Sequence, residues 1–117
     1  MYKIIASDLD ETLLDDNHEV PRRVIDAVAA ARRMGVRFVP ATGRPAGSVR
    51  PTLETLGLAD SPNDYVLSFN GGCLTRNSDP TPLTTCRLPR ERAEAMASIA
   101  HPDFREELMK YAQENFK

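Results

Sequence analysis

Residues 2–17, YKIIASDLDETLLDDN, decide how the rest of the chain is read. Lys3 to Ser7 is a short apolar run without polar alternation, which predicts a buried strand of a parallel sheet covered on both faces. It stops at two acids one residue apart, Asp8 and Asp10. Asp15 and Asp16 follow in a polar loop anchored by Leu13 and Leu14, and they read as a solvated turn. Acids directly past a strand are different. In open α/β sheets the ligand crevice lies beyond the carboxyl ends of the strands.

Outward from this stretch the pattern repeats. A helix is expected from Pro21, because proline suits the first helical turn, and it ends at Gly35. Its apolar face carries Val24, Val28 and Ala31. Val36 to Thr42 is a second strand. Pro45 to Gly57 is a second helix, its regularity limited by Pro51. Tyr65 to Phe69 is a third strand. Strand, helix, strand, helix, strand at these connection lengths gives two parallel crossover units. The remainder reads otherwise. Cys73 to Leu88 is a hairpin turning at Asn77 to Pro80, a helix follows from about Pro89, and an amphipathic helix from Pro102 carries Phe104, Leu108 and Tyr111 or Ala112. The fold class is therefore α/β: a partial Rossmann-like parallel sheet of three strands with crossover helices, then a β-hairpin and C-terminal helices. Residues 1–72 form the core portion, 73–100 a hairpin plus helix, and 101–117 a helical tail.

Composition narrows the function. The 117 residues suffice for one small core. A net charge of -2 argues against nucleic acid or anionic membranes as partners. No segment reaches the ~20 apolar residues of a membrane span, and the N-terminal apolar run is too short for a signal peptide. The two cysteines, Cys73 and Cys86, have no zinc-site spacing. They read as reduced thiols of a cytoplasmic protein.

Parallel strands would bring Asp8 and Asp10, Thr42, Gly43 and Arg44, and Asn70 and Gly71 to one crevice. Two acids, a hydroxyl, an amide and a guanidinium suit a phosphate ester bound with a hard cation, for which oxygen ligands favour Mg²⁺. His18 and His101 have no acid–base partner nearby in sequence and read as surface residues.

DLDETLL at 8–14, VPATGRP at 39–45 and YVLSFNGG at 65–72 together resemble the haloacid dehalogenase-like hydrolases, and more narrowly their Cof-type phosphatases, over roughly residues 2–90. The resemblance implies an Mg²⁺-dependent phosphatase of small phosphorylated metabolites. Asp8 would be the nucleophile that forms an aspartyl-phosphate, and Asp10 the general acid and then base. Asp8 and the Asp10 backbone carbonyl would hold Mg²⁺. Thr42 and the Gly43 amide would grip the phosphoryl group. Arg44 would lie close to substrate or order the loop, Asn70 would mark the entry to a cap begun by residues 73–100, and Thr12 would brace the loop. Glu11 stands where many relatives have glycine.

Two motifs implied by the resemblance have no match. One is a lysine that neutralises nucleophile and phosphate; the chain has three lysines, Lys3, Lys110 and Lys117, none in a suitable context. The other is a Gly-Asp-x-x-Asn-Asp pair after a fourth strand. Asp60, Asn63 and Asp64 copy its spacing but sit in a turn closed by Pro62. HPDFREEL at 101–108 resembles the C-terminal end of acetyl-CoA hydrolase and CoA-transferase proteins, without their catalytic machinery. The expectation is a polypeptide that is weak or inactive alone; the alternative is a non-catalytic phosphate-binding or interaction remnant. An unpaired edge on the first strand would be covered by the tail helix or used in self-association.

Overall fold

The computed structural model describes residues 1–116 and divides into two compact units, Met1–Cys86 and Arg87–Lys117. In the first unit the elements run β1 (Ile4–Ser7), α1 (Arg22–Arg33), β2 (Arg37–Pro40), a 3-10 turn (Ala46–Val49) leading into α2 (Arg50–Thr55), β3 (Tyr65–Ser68), β4 (Cys73–Arg76) and β5 (Asp79–Thr85). Strand β1 pairs parallel with β2, Ile4 opposite Arg37 and Ser7 opposite Pro40. A parallel bridge, Ala41 to Leu67, joins β2 to β3. Strands β3, β4 and β5 are antiparallel neighbours, so the hairpin continues the sheet from β3.

The proline expectations land within a residue or two. Pro21 is the N-cap of α1 and Pro45 that of the 3-10 turn, both extended at ψ of 144° and 146°. Gly35 at φ +83° and Gly57 at φ +70° follow the two helices, where a left-handed residue ends the spiral without a Cβ penalty.

Both helices pack on one face of the sheet. The core joins Leu9, Leu14, Val28, Phe38, Val49, Leu53, Leu56, Leu58 and Val66, with Val24 and Ile25 of α1 against it. Because the strand order advances in one direction, right-handed crossovers must place α1 and α2 on the same side. Strand β1 is therefore not the buried strand its apolar run predicts. Ile4 is 58% and Ile5 41% exposed, and Ala6 is exposed too. Ile4 and Ala6 alternate with Ile5 onto the face opposite Phe38 and the helices, and among the described residues β1 has a sheet neighbour on one side only. On the same open face Arg37 and Arg76 set their guanidiniums beside the Tyr65 ring, 5.9 and 5.8 Å from its centroid.

The second unit is a helix pair, α3 (Arg90–Ser98) and α4 (Pro102–Asn115). Its apolar seam is made of small residues, Ala93, Ala97 and Ala112, all buried. The Arg105 guanidinium caps the turn between the helices with bonds of 3.1 and 2.9 Å to the Ala100 carbonyl. His101 is the N-cap of α4, its Nδ1 accepting the Asp103 amide at 3.2 Å. Phe104, Leu108 and Tyr111 stay exposed. Among the described residues no helix is long and apolar enough to cross a membrane.

Candidate active site

Strand β1 delivers its two acids through a tight turn built on Leu9. That side chain is fully buried, and its carbonyl accepts the amides of Thr12, Leu13 and Leu14 at 3.3, 3.0 and 2.9 Å. With Leu9 pinned in the core, Asp8 and Asp10 on either side are turned outward. Asp8 is exposed, and its Oδ2 accepts the Thr12 hydroxyl at 3.1 Å. Thr12 thus braces the loop, as the resemblance implies. Glu11 adopts φ +60°, the region glycine takes without cost.

Asp10 is engaged more firmly. The Arg44 guanidinium grips it at two points, Nε to Oδ2 and Nη2 to Oδ1, both at 2.9 Å. This planar fork is the geometry in which arginine binds carboxylate best. Arg44 therefore orders the loop between two strand ends. His18 sits nearby, its Nδ1 3.8 Å from Asp10 Oδ1. Its side chain is 77% exposed, so the surface reading holds, but sequence offered no sign that it neighbours Asp10.

Thr42 is held from three directions. Its amide donates to Leu67 O at 2.9 Å, its carbonyl accepts the Asn70 amide at 2.9 Å, and its hydroxyl oxygen accepts the Arg44 amide at 3.0 Å. It is only 3% exposed. With the oxygen used as acceptor, its O–H hydrogen is the part left to give. Beside it the Gly43 amide has no acceptor among the described residues. A Cβ on Gly43 would meet Asn70 Oδ1 at 3.2 Å, so a side chain here would press on Asn70. Asn70 has φ 53° and ψ 42°, the left-handed conformation asparagine tolerates. Its neighbour Phe69 shares it at φ 51°.

The two acids of the 60–64 turn are structural. Asp64 is 4% exposed and bonds Arg32 at 2.7 Å, tying α1 to the start of β3. Asp60 pairs with Arg50 at 2.9 Å, and that carboxylate, with Glu54 behind it, raises the Arg50 pKa. Among the described residues no cluster of three His, Cys, Asp or Glu side chains could hold a metal. Lys3 precedes β1, at the far end from Asp8, and Lys117 lies outside the described residues. Cys73 is buried and Cys86 exposed; both are free, and Cys73 lies opposite Thr85 in the hairpin register.

A model of the haloacid dehalogenase-like hydrolase family matches residues 5–116, the tail included. "Putative phosphatase YxeH" of Bacillus subtilis is 51% identical over 71 residues, which are 61% of this chain and 26% of that protein. A haloacid dehalogenase-like hydrolase structure from B. subtilis superposes with TM-score 0.67 at 31% identity, over 82% of this chain and 32% of that one. The subclass IIB sugar phosphatase BT4131 superposes with TM-score 0.64 at 27% identity, over 82% and 36%. The chain thus spans about a quarter of the length of the curated relatives it matches.

Proposed function

The chain belongs to the haloacid dehalogenase-like hydrolase family, and from that membership we propose that it carries the nucleophile and phosphate-gripping half of a Cof-type, Mg²⁺-dependent phosphatase of small phosphorylated metabolites. The observation that supports this best is the joined set Asp10–Arg44–Thr42–Asn70 beside an outward-facing Asp8.

In the proposed reaction the free Oδ1 of Asp8 attacks phosphorus while Thr12 holds Oδ2. An Asp8–phosphorus bond forms and the bond to the leaving alcohol oxygen breaks. Asp10 gives that oxygen a proton, then takes one from the water that splits the aspartyl-phosphate. The Thr42 hydroxyl and the Gly43 amide donate to the phosphoryl oxygens as charge develops on them. Arg44 occupies both Asp10 oxygens, so Asp10 must release one of them before it can pass a proton.

Mg²⁺ would be held by the Asp8 carboxylate, through the oxygen that does not attack, and the Asp10 carbonyl, and would supply positive charge to the phosphoryl group. An octahedral ion demands six well-placed oxygens. The described residues offer no third acidic side chain to these two. The donor set is half of a site, and no step above depends on the ion. Losing one electrostatic group at a transition state costs ~3 kcal/mol or more. This polypeptide alone is therefore expected to be slow or inactive, and the missing third acid equally favours a phosphate-binding remnant as the second reading.

Hydrolysis of p-nitrophenyl phosphate with Mg²⁺ by the 117-residue chain and by Asp8→Asn tests this. A trace rate abolished by Asp8→Asn, with a mass shift for the aspartyl-phosphate in the parent chain, supports the phosphatase half. Phosphate binding without turnover leaves the remnant. Vigorous turnover would overturn the account of the missing groups.

A further inference from the structure

Arg44 stands between two partners. Its backbone is fixed, with the amide on the Thr42 hydroxyl oxygen at 3.0 Å and the carbonyl accepting the Phe69 amide at 3.3 Å. Its guanidinium is tethered only by Asp10, whose two oxygens, both at 2.9 Å, are its sole acceptors among the described residues. The pair is part-exposed, at 35% and 43% of its side chains, and solvent screening makes such a pair easy to part. Asp10 has no second holder. His18 Nδ1 lies 3.8 Å from its Oδ1, beyond hydrogen-bond distance. Thr42 and Gly43, the two residues just before Arg44, form the proposed phosphate grip, and the Gly43 amide has no acceptor among the described residues. A phosphoryl group seated there lies within the swing of the guanidinium. It carries about two negative charges at neutral pH, against the single charge of Asp10, and its oxygens accept the same planar fork.

We propose that Arg44 is a substrate-operated clasp: a phosphoryl dianion on Thr42 and Gly43 draws the guanidinium off Asp10, and the released carboxyl turns to the leaving oxygen. This rests on the phosphatase reading and adds to it what frees Asp10. Arg44 is thereby a positioning residue for Asp10 as well as a contact to substrate. The exchange conserves hydrogen bonds, since two are given up and two are made. The second charge of the dianion therefore decides its direction. A phosphodiester carries one charge, gains nothing over Asp10 and leaves the clasp shut. Both backbones stay where they are, because Leu9 pins the turn that carries Asp10 and Thr42 and Phe69 pin Arg44. Only two side chains have to move.

NMR of the 117-residue chain with labelled aspartate carboxyl carbons follows the exchange, with inorganic phosphate as the probe in mildly alkaline buffer. Before phosphate is added, the Asp10 carboxyl carbon is expected at different positions in the parent chain and in Arg44→Ala. At saturation the parent signal is expected to converge on that of phosphate-saturated Arg44→Ala. The Arg44 Nε–H signal should shift along the same titration curve as the Gly43 amide, a readout that needs no variant. Arg44→Met, close in length and without a donor, gives the same unclasped reference if Arg44→Ala unfolds. Arg44→Ala is expected to bind phosphate about tenfold more weakly, the net of a charge-assisted fork made and a part-exposed pair given up. Dimethyl phosphate is expected to leave the Asp10 signal in place. Saturation of the Thr42 and Gly43 amides with Asp10 still at its clasped position would overturn the proposal and spare the phosphate site. Opening by dimethyl phosphate as readily as by phosphate would overturn it too, since one charge would then suffice. A titration that moves neither amide would overturn the phosphate reading itself, and the clasp with it.

Discussion

Arg44 and Glu11 show how much of the site rests on single residues. Arg44 was legible as a site residue, because it follows Thr42 past a strand, but not as the clasp on Asp10. Nothing in sequence tells which strand-end acid a guanidinium will reach. Both partners are part-exposed, at 35% and 43% of their side chains, so solvent screening limits the pair to about 0.5–1 kcal/mol. Its value lies in the fork geometry. Arg44→Lys keeps the charge and loses the two-point grip, so we expect it to cost nearly as much as Arg44→Ala in urea unfolding. A fully stable Arg44→Lys would show that charge alone suffices. Glu11 makes the opposite case. Its φ of +60° costs a side chain roughly 1 kcal/mol, part of which glycine returns as unfolded-chain entropy. Glu11→Gly is expected to raise the urea midpoint slightly with an unchanged slope; a lowered midpoint would mean that the Glu11 side chain contributes more than its backbone loses.

Among the elements, helix starts were the most readable feature, since proline fixes its own φ and the residue that opens each helix is named by the sequence. Burial of β1 was the least readable. An apolar run says that a strand can be covered on both faces, not that covering elements exist, and the same-side crossovers leave one face bare. The Asp60, Asn63 and Asp64 set was legible as a turn because Pro62 lies inside it, yet its strongest contact is long-range. Asp64 spans from β3 to α1 through Arg32 at 2.7 Å. Asp64→Ala leaves that part-buried guanidinium without its carboxylate and should cost about 2–3 kcal/mol by urea unfolding. A loss under half of that would make the tie dispensable. In the hairpin, the Thr81 amide donates to Asp79 at 2.9 Å and holds its carboxyl below the usual value of 3.8. A carboxyl depressed on folding stabilises fully above its unfolded pKa and loses that contribution as pH falls through the folded one. The stability gap between the parent chain and Asp79→Asn should therefore be widest near pH 6 and narrow below about pH 4. A gap that grows in acid would reverse the sign of this assignment.

For the whole molecule, the division at Cys86 determines what can stand alone. Every member of the main core, from Leu9 to Val66, belongs to Met1–Cys86, as does every candidate site residue. The helix pair beyond it is held by alanines, which bury little surface each, and by the Arg105 cap. Apolar burial contributes roughly 25 cal/mol per Å². A seam of Ala93, Ala97 and Ala112 is thin support for two helices, the shorter of which is below the ~12 residues at which isolated helices become even marginal. The joining residues Cys86 to Arg90 are all exposed, and Arg87 offers a cleavable bond to Leu88. Limited trypsin digestion is therefore expected to cut at Arg87 before any arginine of α1 or β2, and to leave a fragment of residues 1–87 with a cooperative urea transition. That fragment should keep whatever phosphate affinity the full chain has, because Thr42, Arg44 and Asn70 are bonded to one another within it and Gly43 lies between the first two. A fragment that unfolds on cleavage would show that the helix pair stabilises the sheet. One that stays folded but loses phosphate would move part of the binding site past residue 87.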